Sequence, residues 1–152
     1  MKLAEALMAR ASCQRRLDNL KERMARNAKI QEGTHPAEDA PALLEEFEQS
    51  ANELLGLFRA INRTNAAARL DEQLTLTDAL AERDVLRIRD AEYRHLAEAA
   101  SINIDRYSRS EIPYRSTVDV RELQRRADRA AKRYRELDAD IQRRNWEVDL
   151  VD

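Results

Sequence analysis

The sequence predicts an all-α protein, an antiparallel bundle of four principal helices with a long connection between the third and the fourth. Three observations point there. Only two glycines and three prolines occur in 152 residues, too few for the many tight turns of a sandwich or barrel. Charged residues make up 37% of the chain, well above the roughly 25% of an ordinary soluble domain. Apolar residues, mostly alanine and leucine, recur at steps of three and four, the spacing that lines one face of a helix. A chain of this length accommodates one hydrophobic core, so residues 1–152 are read as a single helical domain.

The first helix is expected over about residues 3–29, where Leu3, Leu7, Cys13, Leu17, Leu20, Met24 and Ala28 share a face interrupted by Arg10, Gln14 and Lys21. Gly33, Pro36 and Pro41 then break the pattern and mark a loop. The second helix, about 42–65, starts near Pro41, since a proline in the first turn gives up no intrahelical bond. Its alternation Leu44, Phe47, Ala51, Leu54, Phe58, Ile61 predicts a core of Phe47, Leu54, Phe58 and Ile61. Leu74 to Thr77 alternates briefly and could be extended, with Thr77 as the cap of a third helix over about 78–101. Leu80, Val85, Leu86, Ile88, Tyr93, Leu96 and Ala100 are its expected anchors. Residues 102–119 form a connection longer than usual between bundle helices. Its interleaved Tyr107, Ile112, Tyr114 and Val118 suit a β-hairpin or an arm that docks on another subunit. The fourth helix, about 120–145, is capped by Asp119 or Thr117 and carries Val120, Leu123, Ala127, Ala130, Tyr134, Leu137 and Ile141 on one side, with Val148 beyond it.

The lone cysteine, Cys13, excludes an intramolecular disulfide and reads as a small buried hydrophobe. Apolar runs of about five residues are far short of the roughly 18–20 needed to span a bilayer. The N-terminus meets Glu5 at once and does not read as a signal peptide. A cytoplasmic protein is expected.

Several strings taken together look familiar: Gln31-Glu32-Gly33, Ile61-Asn62-Arg63-Thr64-Asn65, Leu74-Thr75-Leu76-Thr77, Arg83 to Arg89, Asp105 to Ile112, Ser116 to Val120 and Asn145-Trp146. In this order they resemble a family of small bacterial proteins known as septicolysin-like, with Arg106-Tyr107-Ser108-Arg109-Ser110-Glu111-Ile112 as the most specific match. Glu72 and Pro113 depart from that pattern. The resemblance implies a mostly helical bacterial protein without an established biochemical role. The cytolysin activity suggested by the label has no support in the residues, which offer neither a membrane-length segment nor a pore-forming amphipathic hairpin.

No catalytic signature stands out, and no cofactor or metal is expected. Glu92 and His95 have the spacing of a di-iron ligand pair, but such a site needs a second pair and two further glutamates. No glycine-rich loop cradles a phosphate, and no serine sits in a glycine-flanked elbow. Asn62, Arg63, Asn65, Arg83, Asp84 and Arg87 form a candidate polar cluster if helices two and three run antiparallel. It would be an enzyme or ligand site, or a network that fixes helix register. The charge is segregated. Residues 31–58 hold seven acids and no lysine or arginine, whereas 106–135 hold ten basic residues and four acids. Arg121, Arg125, Arg129 and Arg133 repeat every four residues on helix four, and like charges at that spacing call for compensation. With Arg106, Tyr107, Arg109, Tyr114 and Arg115 they form a candidate basic surface or interface. The expected function is self-association of a non-enzymatic helical protein, with the acidic segment meeting the basic one in a second copy. Nucleic-acid binding by the 106–133 surface is the alternative.

Overall fold

A computed structural model describes residues 1–102 and 112–151. The protein is all-α, with α1 at Leu3–Asn27, α2 at Ala40–Ala67, α3 at Leu76–Ala100 and α4 at Val120–Glu147. No strand occurs among the described residues, which include one antiparallel bridge, Lys2 with Asp149. Half of the hairpin or exchanged arm expected over 102–119 lies at 103–111, outside the described residues, and no strand occurs in 112–119. The chain divides into two compact units, one of Met1–Arg69 with Gln142–Asp152, the other of Leu70–Ile141.

In the first unit α1 packs on α2. The two run antiparallel: Cys13 donates to the Ser50 carbonyl at 3.1 Å, and Arg23, near the end of α1, pairs with Glu38 just before α2. Asn27 ties the intervening loop down, donating to the Arg23 carbonyl and accepting from the Glu38 N–H at 3.0 Å. Within that loop the Gln31–Thr34 turn places Gly33 at φ 84°, a conformation that a side chain would strain. Leu3, Ala6, Cys13, Leu17 and Leu20 are buried on α1. Arg10, which interrupts this face in the sequence, occupies a seam position and is half-buried.

The α2 face differs from the sequence expectation. Its inward residues are Leu43, Phe47, Ser50, Leu54, Leu57, Ile61 and Thr64, an unbroken alternation of four and three. Ser50 and Thr64 hold two of these positions, so the face turns away from Leu44 and Phe58. Phe58 is 36% exposed and Leu44 50%. Phe58 is therefore not a core residue, although Ile61 is. The unit closes with the last turn of α4 and the chain end. Leu3 N–H donates to the Val148 carbonyl and Leu150 N–H to the Met1 carbonyl, both at 2.9 Å. Lys2 pairs with Asp149 at 2.9 Å.

The second unit pairs α3 with α4, again antiparallel: Arg83 meets Asp138 at 3.0 Å, while Arg94 lies 3.5 Å from Asp128. Its core is Ala79, Leu86, Ala130, Leu137 and Ile141, with Leu70, Leu80 and Tyr134 packed against it. On α4 the inward residues are those expected. On α3 they are Leu76, Ala79, Arg83, Leu86, Asp90, Tyr93 and Ala97, and Val85, Ile88 and Leu96 point outward instead of anchoring the helix. The cause is the same as on α2, because polar side chains occupy two seam positions. The start of α3 also differs. Thr75, not Thr77, is the cap: its hydroxyl accepts from the Asp78 N–H at 3.1 Å, and the Asp78 carboxylate accepts from Thr75 in return. This reciprocal box needs an acid three residues on. Thr77 lacks one, because Leu80 stands at its third position. At α4, Asp119 is the cap, accepting from the Glu122 N–H at 3.0 Å.

Candidate functional site

The basic face of α4 is organised by one carboxylate. Glu122 accepts from Arg125 Nε at 3.0 Å, Arg126 Nε at 3.2 Å and Arg129 Nη2 at 3.0 Å. One turn further along, Arg133 donates to Glu82 of α3 at 3.0 Å. Of the four arginines spaced by four residues, Arg125, Arg129 and Arg133 thus receive their compensation from within the same unit. Three guanidiniums hold the Glu122 carboxyl down to about 2, with Arg125 the largest contributor, then Arg129 and Arg126. Depression from 4.5 means that this network stabilises the fold fully above about pH 4.5, and that its contribution is lost as the pH falls toward about 2. A carboxyl-carbon NMR titration should place the Glu122 midpoint near pH 2. A midpoint near 4.5 would show the arginines turned to solvent.

Two grooves open along the α3–α4 pair. The first, about 460 Å³, is lined by Leu86, Arg89 and Tyr93 of α3 and by Glu122, Arg126, Arg129 and Ala130 of α4. The second, about 300 Å³, is lined by Arg87, Asp90, Ala131, Tyr134 and Arg135. Asp90 is engaged by Arg94 at 2.8 Å, whereas Arg87, Arg89 and Arg135 make no ion pair among the described residues.

Of the expected basic surface, Arg121, Arg125, Arg129 and Arg133 lie exposed on α4. Tyr114 and Arg115 are exposed in the connection and border a pocket of about 260 Å³ beside the end of α3. Arg106, Tyr107 and Arg109 lie outside the described residues. The polar cluster divides between the two units. On α2, Asn62 and Arg63 are exposed and Asn65 is half-buried. On α3, Arg83 pairs with Asp138 at 3.0 Å and with Asp84 at 3.4 Å, and Arg87 belongs to the second groove.

Glu92 and His95 face each other at 3.6 Å as an exposed surface pair. Among the described residues no three of His, Cys, Asp and Glu come together as a metal cluster would require. Nor does any helix among them combine the length and apolarity to cross a membrane. Arg89 and Arg126 were not among the candidate site residues, and Tyr93 was expected only as an anchor of the third helix. Arg126 could have been found from its four-residue offset to Glu122, but Arg89 and Tyr93 join the groove only through the packing of α3 on α4.

Residues 10–150 match the model of a family of unknown function, DUF6847. The chain is also similar to a solved structure, that of a functionally unknown conserved protein from Corynebacterium diphtheriae, at 46% identity and a TM-score of 0.92, over 99% of each chain. No curated protein matches. Neither description carries the septicolysin name suggested by the sequence strings.

Proposed function

We propose, for a chain that belongs to the DUF6847 family of unknown function, a non-enzymatic helical protein whose working form is an assembly with a second copy of itself. The observation that carries this reading is a pair of outward helix faces with matching apolar stripes and opposite free charge. On α2, Leu44, Leu55 (45% exposed) and Phe58 stand outward, beside Glu45 and Glu48, which make no ion pair among the described residues. On α3, Ile88 is 65% exposed, next to Arg87 and the groove that Arg87 shares with Arg135. Isolated exposed leucines are ordinary, but a run on one helix face marks an interaction surface. In a two-fold pair the contact between the α2 face of one copy and the α3 face of the other forms twice, which is why closed dimers are the commonest solution.

Carboxylates set inside the α4 arginine row favour this reading over nucleic-acid binding, since a polynucleotide backbone rewards an uninterrupted run of free cations. Sedimentation velocity at micromolar concentration should give at least a dimer, weakened by high salt and by Ile88→Glu or Leu55→Glu, with unchanged helical circular dichroism. A clean monomer at low salt would overturn the proposal.

A further inference from the structure

We infer that the groove between α3 and α4 bearing Arg89, Arg126 and Arg129 is a binding site for a small organic phosphate. The argument begins with charge. Glu122 draws Arg126 and Arg129 to the same oxygen, at 3.2 and 3.0 Å, so two guanidiniums converge with one carboxylate between them and Arg125. Arg89 lines the same groove from α3 with no carboxylate of its own. The three arginines and one glutamate that line the groove leave it a local charge of +2. A guanidinium presents its donors as a planar fork that matches phosphate oxygens in pairs, and several arginines sharing one carboxylate keep donors and net positive charge for a further anion. The low proton affinity of Glu122 has the same origin, since each arginine favours any negative charge placed beside it.

The shape narrows the class. The groove's volume of about 460 Å³ lies within the range of small-molecule sites, about 300–1,000 Å³. Its wall and floor are not uniformly polar. Leu86 and Ala130 are buried apolar residues, and Tyr93 is a half-buried aromatic ring, so the body of a ligand can lie against them while its phosphate reaches the arginines. Toward the end of α4 the next cations, Lys132 and Arg133, are engaged by Glu136 at 3.9 Å and by Glu82 at 3.0 Å, which closes the row of available donors on that side. That favours a compact ligand over a chain of phosphates. This site and the self-association surface use different residues, so each can fail without the other.

The experiment is isothermal titration at low salt with three probes: AMP, inorganic phosphate and a short single-stranded oligonucleotide. AMP should bind and inorganic phosphate should bind more weakly, both displaced by salt. Arg89→Gln, which breaks no ion pair among the described residues, should lower AMP affinity at least tenfold, as should Arg126→Gln. Tyr93→Ala should weaken AMP while leaving inorganic phosphate unchanged. Sedimentation of the Arg89 variant should match that of the parent protein. Absence of AMP binding at millimolar concentration would overturn the inference, as would AMP affinity untouched by both arginine variants. An oligonucleotide bound far more tightly than AMP would also overturn it, by showing a backbone contact in place of a small-molecule site.

Discussion

Leu137→Ala should destabilise the protein by about 2–5 kcal/mol, the range for removing a fully buried leucine side chain and leaving a cavity. Leu137 is 1% exposed and sits among Leu86, Ala130 and Ile141 in the α3–α4 core. Its surroundings are small, since two of the five core positions are alanines, so little side-chain volume is available to relax into the space. Phe58→Ala should cost about 1 kcal/mol or less, nearer to the scale of surface substitutions, because the ring stands partly in water. Urea denaturation followed by circular dichroism separates the two. Equal losses, or a larger one at Phe58, would mean that the α2 face is turned the other way.

Thr64→Val should cost about 0.5–1.5 kcal/mol, the net worth of a typical intramolecular hydrogen bond. The Thr64 side chain is fully buried. Its hydroxyl donates to the Ala60 carbonyl at 2.8 Å and accepts from the Val151 N–H at 2.9 Å, joining the chain end to α2. Valine keeps the shape and removes both bonds. Hydrogen exchange should show the Val151 amide losing protection while amides in α3 keep theirs. Unchanged exchange at Val151 would show that the tail is held by its other contacts alone.

The helices themselves were legible in the sequence because few residues can end one here. Gly33 with two prolines, and the aperiodic stretch after Ser101, stand where the chain leaves α1 and α3. The apolar part of the α4 seam was read residue by residue, since the seven positions expected inward from Val120 to Ile141 are apolar or aromatic, but half-buried Asp138 beside them was passed over. The α2 and α3 seams were misread for a common reason. Ser50, Thr64, Arg83 and Asp90 occupy inward positions, and a pattern built from apolar residues passes over them to the nearest leucine, valine or isoleucine. The arginine row was legible by its spacing. Glu122 counted only as one of four acids among ten basic residues, whereas it is the group that gathers three arginines. Arg133 found its partner on α3, and no property of either local sequence announces that pairing.

Arg83 and Asp138 do more than neutralise each other. Both are partly buried, at 23% and 34% side-chain exposure, and they face across the seam from α3 to α4. Sliding α4 by one heptad toward either end would bring Ala131 or Asn145 to the place of Asp138, leaving a sheltered guanidinium with only its helix neighbour Asp84 as counter-charge. Leucine and alanine alone would accept several such displaced alignments almost equally, because apolar contact has no direction. A charged pair in the seam makes one alignment distinct from its neighbours, as a single polar residue does in coiled coils. The α3–α4 hairpin therefore carries an internal ruler: its apolar residues decide that the helices adhere, and its cross-helix ion pairs, the sheltered Arg83–Asp138 pair foremost, decide at which height.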